Sequence, residues 1–198
     1  MQRMKTTARA SAAAAAVLSL AGCISLGGKP PEQLLNLTAT STAPAGASAS
    51  GTSATALTVL DIRAPQELDV ARVPVRINGS SLAYLKDAQW VEKPARLFER
   101  LLSETIRARG NRLVVTGTDL EYAAATKLSG TLAEMDYDPA LGAAVVRFDA
   151  VMQTGERQIQ TRRFESVVPG VAAEATAVGD ALNRAANDVA AQVADWVG

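Results

Sequence analysis

The sequence has no histidine and one cysteine, and its aromatics number only two Trp, three Tyr and three Phe. Without histidine there is no Ser-His-Asp or Cys-His nucleophilic catalysis and no histidine-ligated zinc. A lone cysteine can neither close an internal disulfide nor build a Cys-x-x-Cys metal or redox site. An excess of one charge is also missing. The 20 basic side chains balance the 20 acidic ones, whereas a nucleic-acid binder carries a basic surplus. Alanine, by contrast, is abundant. It makes up about a fifth of the chain and lifts the hydrophobic fraction to 48%. These averages mix unlike segments, and the chain divides into three.

Residues 1–22 read as an export signal. Arg3, Lys5 and Arg9 form a basic start, and Ala10 to Ala21 run uncharged and mostly apolar. Twelve helical residues rise roughly 18 Å, short of the roughly 30 Å hydrocarbon core. A basic start before a short apolar run is a secretory signal. It ends Leu20-Ala21-Gly22-Cys23, which resembles the bacterial lipobox. There the cysteine thiol is alkylated with diacylglycerol, and the peptidase needs small residues just before the cut. The resemblance therefore makes Cys23 the lipidation site. One acyl chain anchors only marginally, but the three of a bacterial lipoprotein hold it permanently. Mature position two would be Ile24 rather than the Asp that retains lipoproteins in the inner membrane. The expected location is the outer membrane, lipid-anchored and facing the periplasm.

Residues 23–56 read as a lipid-anchored flexible tether. No charge falls between Glu32 and Asp61, and Thr38 to Ala56 contains only Thr, Ala, Ser, Gly and Pro. Such a stretch buries too little apolar area to offset its ordering entropy. Leu34-Leu35-Asn36-Leu37 is an apolar island within it, readable as an edge strand, a docking peptide or plain linker.

Residues 57–198 read as one folded domain carrying every aromatic. Leu57–Ile62 is a short apolar run suited to a strand. Arg72–Ile77 alternates, with Pro74 pointing to an edge strand or to a position whose N–H faces outward. Asn78-Gly79 signals a hairpin turn, and Leu82–Leu85 is the return strand. Pro94 suits a first helical turn. Leu97, Phe98, Leu101, Leu102 and Ile106 follow at helical spacing, and Gly110 stops the helix. After a short strand at Leu113–Val115 come three longer candidates, Thr126–Tyr137, Gly142–Gln153 and Arg157–Val168. They read as an antiparallel meander with one solvated face. A last helix follows Pro169-Gly170. Beside its apolar stripe runs a small-residue row of Ala172, Thr176, Gly179, Asn183, Ala186 and Ala190. That row reads either as a subunit contact or as an alanine-rich helix resting on its own sheet. The order β-β-β-α-β-β-β-β-α gives an α+β layer fold, a mostly antiparallel sheet with two helices on one face.

Chemistry-bearing constellations are few. Asp136 and Asp138 flank Tyr137 beside a proline turn, a setting that usually means solvated turn chemistry. Glu67 with Asp69, Asp119 with Glu121, and the doublet Arg162-Arg163 read the same way, as solvated faces. No phosphate or dinucleotide loop is present, and no cofactor or metal is expected. The domain's 16 basic and 19 acidic residues leave a net charge of −3, against attraction to anionic headgroups or nucleic acid.

These features together resemble the ABC-type transport auxiliary lipoproteins that accompany MCE-domain lipid transport systems. The resemblance rests on Leu20-Ala21-Gly22-Cys23, the Leu57–Ile62 and Arg72–Arg76 strands, and above all Leu82-Ala83-Tyr84-Leu85-Lys86-Asp87-Ala88-Gln89-Trp90. Pro94, Leu97, Arg163-Phe164-Glu165 and the helix ending at Trp196 continue it. Leu35-Asn36-Leu37 departs from it, with leucine where the family often has an aromatic. The resemblance implies a non-enzymatic outer-membrane lipoprotein. It would dock a periplasmic MCE-domain assembly powered by an inner-membrane ABC ATPase, so that lipids pass between the membranes. Its partners would be the MCE-domain protein, the membrane through its anchor, and further copies of itself in a homo-oligomer. Tyr84 and Trp90 are the candidate partner contacts, with core packing as the alternative reading. A second functional reading is an assembly lipoprotein for an outer-membrane protein such as a lipopolysaccharide-export barrel.

Overall fold

In the computed structural model, which describes residues 33–110, 112–115, 124–155 and 158–198, strand β5 (Thr126–Asp138) organises everything else. Its 13 residues make it the longest strand. Along one edge it pairs antiparallel with β6 (Ala143–Thr154), from Thr126↔Thr154 to Asp138↔Ala143. Its other edge is shared. The first half pairs with β1 (Leu57–Arg63), the far end with β2 (Arg72–Asn78), both parallel. The outer positions go to β3 (Ser81–Gln89) beside β2, the two-residue β4 (Val114–Val115) beside β1, and β7 (Gln158–Pro169) beside β6. The element order is the expected one, and the fold is α+β. The expectation of a mostly antiparallel sheet is corrected, because β1 pairs parallel with both β4 and β5, and β2 parallel with β5. The chain enters β5 only after a helical crossover, which returns it to the end where β1 began.

Two helices cover one face. Helix α1 (Pro94–Arg109) starts on a proline whose missing N–H is not needed there and stops at Gly110. The glycine's φ of 71° is left-handed, and its N–H caps the Arg107 carbonyl at 3.1 Å. Arg107 and Arg109 in the last turn complement the negative end of the helix dipole. Helix α2 (Ala175–Val197) closes the chain. Leu97, Phe98, Leu101, Leu102 and Ile106 from α1 meet Val178, Leu182, Val189 and Val193 from α2 in one core with Leu128, Leu132, Val146, Phe148 and Phe164 of the sheet.

The β2–β3 hairpin forms where Asn78-Gly79 marked it. Asn78 closes the turn, its side-chain oxygen accepting from the Ser80 N–H at 2.9 Å and from the Ser80 hydroxyl, an Asx turn. Further along, β3 bulges between its pairings Pro74↔Tyr84 and Arg72↔Gln89. Asp87 takes a left-handed φ of 56° there, and Lys86 and Asp87 project outward.

The segment before β1 holds a second finding. Residues 35–43, read as part of a tether in which Leu34–Leu37 could be an edge strand, a docking peptide or plain linker, form a strap along the domain. Leu35 makes a parallel bridge to Trp90. Its N–H reaches the Gln89 carbonyl at 2.7 Å, and its own carbonyl accepts from Val91 at 2.9 Å. Leu37 is buried at 8% exposure. The Thr38 N–H then donates to the Asn183 side chain at 2.9 Å. Asn187 completes the attachment, donating to the Thr38 carbonyl at 2.9 Å and accepting the Thr40 N–H at 2.8 Å. The Ala43 N–H ends on Glu104 of α1 at 2.8 Å. Two asparagines one helical turn apart thus act as a substitute strand edge. The small-residue row of α2 does admit another backbone, and it belongs to the same chain. A Cβ on Gly179 would lie 2.5 Å from Leu35. Asn187→Ala should cost the strap about 1–3 kcal/mol by stranding the Thr38 and Thr40 backbone groups. The expected result is faster amide hydrogen exchange at Thr40 while α2 stays protected. Unchanged exchange at Thr40 would show that the asparagine does not hold the strap.

Candidate functional site

The sheet face opposite the helices carries a charged groove, and a bulge in β5 puts it there. Leu128, Gly130 and Leu132 face the helices at even positions. The register then slips between Leu132 and Glu134, and Met135 and Tyr137 continue the inward face at odd positions. The extra residue reverses the alternation of inward and outward side chains. Without it Glu134, Asp136 and Asp138 would point into the core. With it they stand on the open face beside Arg76 of β2, Val145 and Arg147 of β6, and Glu165 and Val167 of β7, around a depression of about 260 Å³.

Charge alternates across the four strands. The Arg76 Nε donates to Asp136 at 3.1 Å, and its guanidinium lies 3.8 Å from Glu134. Arg147 is bracketed by Glu134 and Glu165, with its Nε donating to the latter at 2.6 Å. One row further on, Arg163 makes a two-point pair with Asp149 at 2.6 and 2.8 Å, which holds the Asp149 carboxyl below the usual range. Asp136 is different in kind. It is 2% exposed. One carboxylate oxygen takes Arg76, while Oδ1 has no hydrogen-bond partner. Burial pushes its carboxyl above the usual range, and the Arg76 guanidinium offsets only part of that.

The structure separates the paired carboxylates of the sequence. Asp138 does serve the turn, its Oδ1 accepting from the Ala140 and Leu141 N–H groups at 2.8 and 3.1 Å. Asp136, expected to be solvated in the same way, is buried instead. Asp69 is exposed and paired with Lys93 at 2.8 Å. Arg162 lies over the Phe164 ring at 5.0 Å. Asp119 and Glu121 fall outside the described residues, as do Leu20, Ala21, Gly22 and Cys23. Among the described residues no group of three or more metal-ligating side chains converges, and no helix is long and apolar enough to cross a membrane.

The two aromatic contact candidates do not form a shared surface. Trp90 is 1% exposed, so its indole belongs to the core and is not on the surface. Tyr84 is half-buried, with the Arg72 guanidinium 4.2 Å from its ring centre. Sequence reading missed Arg76, Glu134, Arg147 and Glu165 as a set. One trace was available, since Arg147 and Asp149 share a face of β6. Their partners lie on strands whose registers leave no local mark.

The comparisons with known proteins agree on the architecture. A solved structure of a Xanthomonas campestris protein of the DUF330 family is 18% identical, with a TM-score of 0.70 over 83% of this chain and 94% of that one. A second solved structure, of an uncharacterised protein, is 14% identical, with a TM-score of 0.63 over 73% of this chain and 93% of that one. At those identities the likeness concerns the fold. No curated protein matched. The profile of the ABC-type transport auxiliary lipoprotein component matches residues 36–194, which takes in the strap from Asn36 onward. The chain therefore belongs to the ABC-type transport auxiliary lipoprotein component family.

Proposed function

We propose that this protein is a non-enzymatic adaptor of an MCE-linked lipid transport system, lipidated at Cys23 and docking the periplasmic assembly at the outer membrane. The observation that carries the reading is the family match over residues 36–194. The character of the site supports it. The groove holds about 260 Å³, below the roughly 300–1,000 Å³ of small-molecule pockets, so it suits a side chain better than a whole lipid. Ile24 after the lipidated cysteine supports the outer membrane, and further copies of the chain complete the adaptor as a homo-oligomer. Crosslinking in intact cells followed by capture of the tagged lipoprotein tests the role. Recovery of an MCE-domain protein is the expected result. Recovery of a lipopolysaccharide-export barrel instead, with no MCE-domain protein, would replace the reading with an assembly role.

A further inference from the structure

Among the described residues seven large apolar side chains are exposed, and four of them gather at one end of the sheet. Ile77 and Leu82 stand at the tip of the β2–β3 hairpin, Leu141 in the β5–β6 turn and Val167 near the end of β7. Register makes them neighbours. Arg76 pairs with Leu82, Val75 with Tyr137, Asp136 with Val145 and Val145 with Val167, so one end of five strands carries all four. The Val171 N–H ties the segment after β7 to the β5–β6 turn, donating to the Gly142 carbonyl at 2.8 Å. Charge is missing here as well. Residues 77–85, 139–146 and 166–173 contain none. The nearest charges are already committed, Arg76 to Asp136 and Asp138 to the N–H groups of its own turn.

The direction of the strap is a second, independent observation. The Leu35–Trp90 bridge is parallel, and β3 runs away from the hairpin tip, so the chain upstream of Leu35 joins the domain from the tip's side. From Arg72, which pairs with Gln89, to Asn78 at the tip is about 20 Å of strand. The twelve residues from Cys23 to Leu35 reach at most about 40–43 Å, enough to bring an anchored Cys23 level with the tip. An exposed apolar patch marks a protein or a membrane contact. Four aliphatic side chains fall well short of the roughly 20–30 residues a side of a stable protein interface. A surface to which the domain is already tethered needs far less, because the tether supplies the concentration.

We propose that this end of the sheet rests on the lipid surface of the membrane that holds the anchor, its four aliphatic side chains entering the headgroup–acyl boundary. The contact orients the domain and is too weak to hold it without the anchor. It rests on the reading of Cys23 as that anchor, and co-sedimentation reads anchoring separately. The full-length acylated lipoprotein, as Leu141→Trp and as Ile159→Trp, would be reconstituted into phosphatidylethanolamine–phosphatidylglycerol vesicles doped with acyl-brominated phosphatidylcholine. The two sites are matched at 64% exposure each, but Ile159 lies at the opposite end of the sheet, paired with Gln153. Fluorescence from Leu141→Trp should shift to the blue and be quenched several-fold more strongly than from Ile159→Trp, after subtraction of the protein's own tryptophans. Adding Ile77→Asp and Leu82→Asp, both at exposed positions, should remove most of that quenching with the melting curve unchanged. Equal quenching at both sites, or none at Leu141→Trp in co-sedimenting protein, would overturn the proposal and leave the anchor standing. A blue shift of Leu141→Trp in native outer membranes but not in these vesicles would give the surface to a protein and overturn it too. Protein left in the supernatant would remove the anchor, and this contact with it.

Discussion

Replacing Cys23 with serine is expected to move the protein from the membrane fraction to the soluble periplasmic fraction and to remove its acyl mass. The effect is close to all-or-none for a physical reason. Each buried methylene contributes about 0.8 kcal/mol to anchoring, so the three chains of the proposed lipidation would hold the protein far above any dissociation threshold, and without the thiol none would be attached. Among the described residues no helix is long and apolar enough to cross a membrane. The domain's net charge of −3 gives it no electrostatic purchase on anionic headgroups. Fractionation together with intact-mass measurement of the Cys23→Ser variant checks this. A variant that stays membrane-bound and acylated would end the assignment of Cys23.

The second large effect is on stability. Phe148 sits at the centre of β6, paired with Phe164 of β7 and Leu132 of β5. Its ring lies 5.1 Å from that of Phe98 on α1, tilted at 57°. It is therefore the joint between sheet and helix layer. Phe148→Ala should destabilise the domain by about 3–5 kcal/mol, a large share of the roughly 5–15 kcal/mol of a typical domain. Gly130 makes room for that ring. A Cβ there would lie 2.6 Å from the Phe148 ring and closer still to the Asp149 backbone carbonyl. Gly130→Ala should accordingly destabilise as well, and Phe148→Ala should not rescue it, because the carbonyl clash survives. Urea unfolding of both single variants and the double would show this. Recovery in the double variant would mean that the ring alone sets the glycine requirement.

Much of this molecule is readable from its sequence, and the exceptions share a cause. The strands, the Pro94 start and Gly110 stop of α1, and the Asn78 turn are written in local spacing and local backbone chemistry. The parallel pairing of β1 with β5 is not, since a register between strands more than sixty residues apart leaves no periodic trace. The β5 bulge escapes for a related reason. One inserted residue reverses the alternation, so the acids at 134, 136 and 138 look like a turn approach until Arg76 and Arg147 are seen beside them. The strap escapes because Thr, Ala and Ser have a linker's composition. What orders them is a remote pair, Asn183 and Asn187, whose side chains supply the hydrogen bonds that a neighbouring strand otherwise would. Trp90 reads either way, because a tryptophan beside a hairpin is equally at home on a contact surface and in a core, and only the packing of the whole core decides between them.

The strap also changes the arithmetic of any anchor upstream of it. Counted along the sequence from Cys23, the proposed lipidation site, Leu57 is 34 residues away and Leu35 is twelve. At about 3.3–3.6 Å per residue, the longest possible span from that site to the domain is about 40–43 Å rather than about 110–120 Å. Lipidated there as proposed, the domain would work close to its membrane, and a partner would have to come to it.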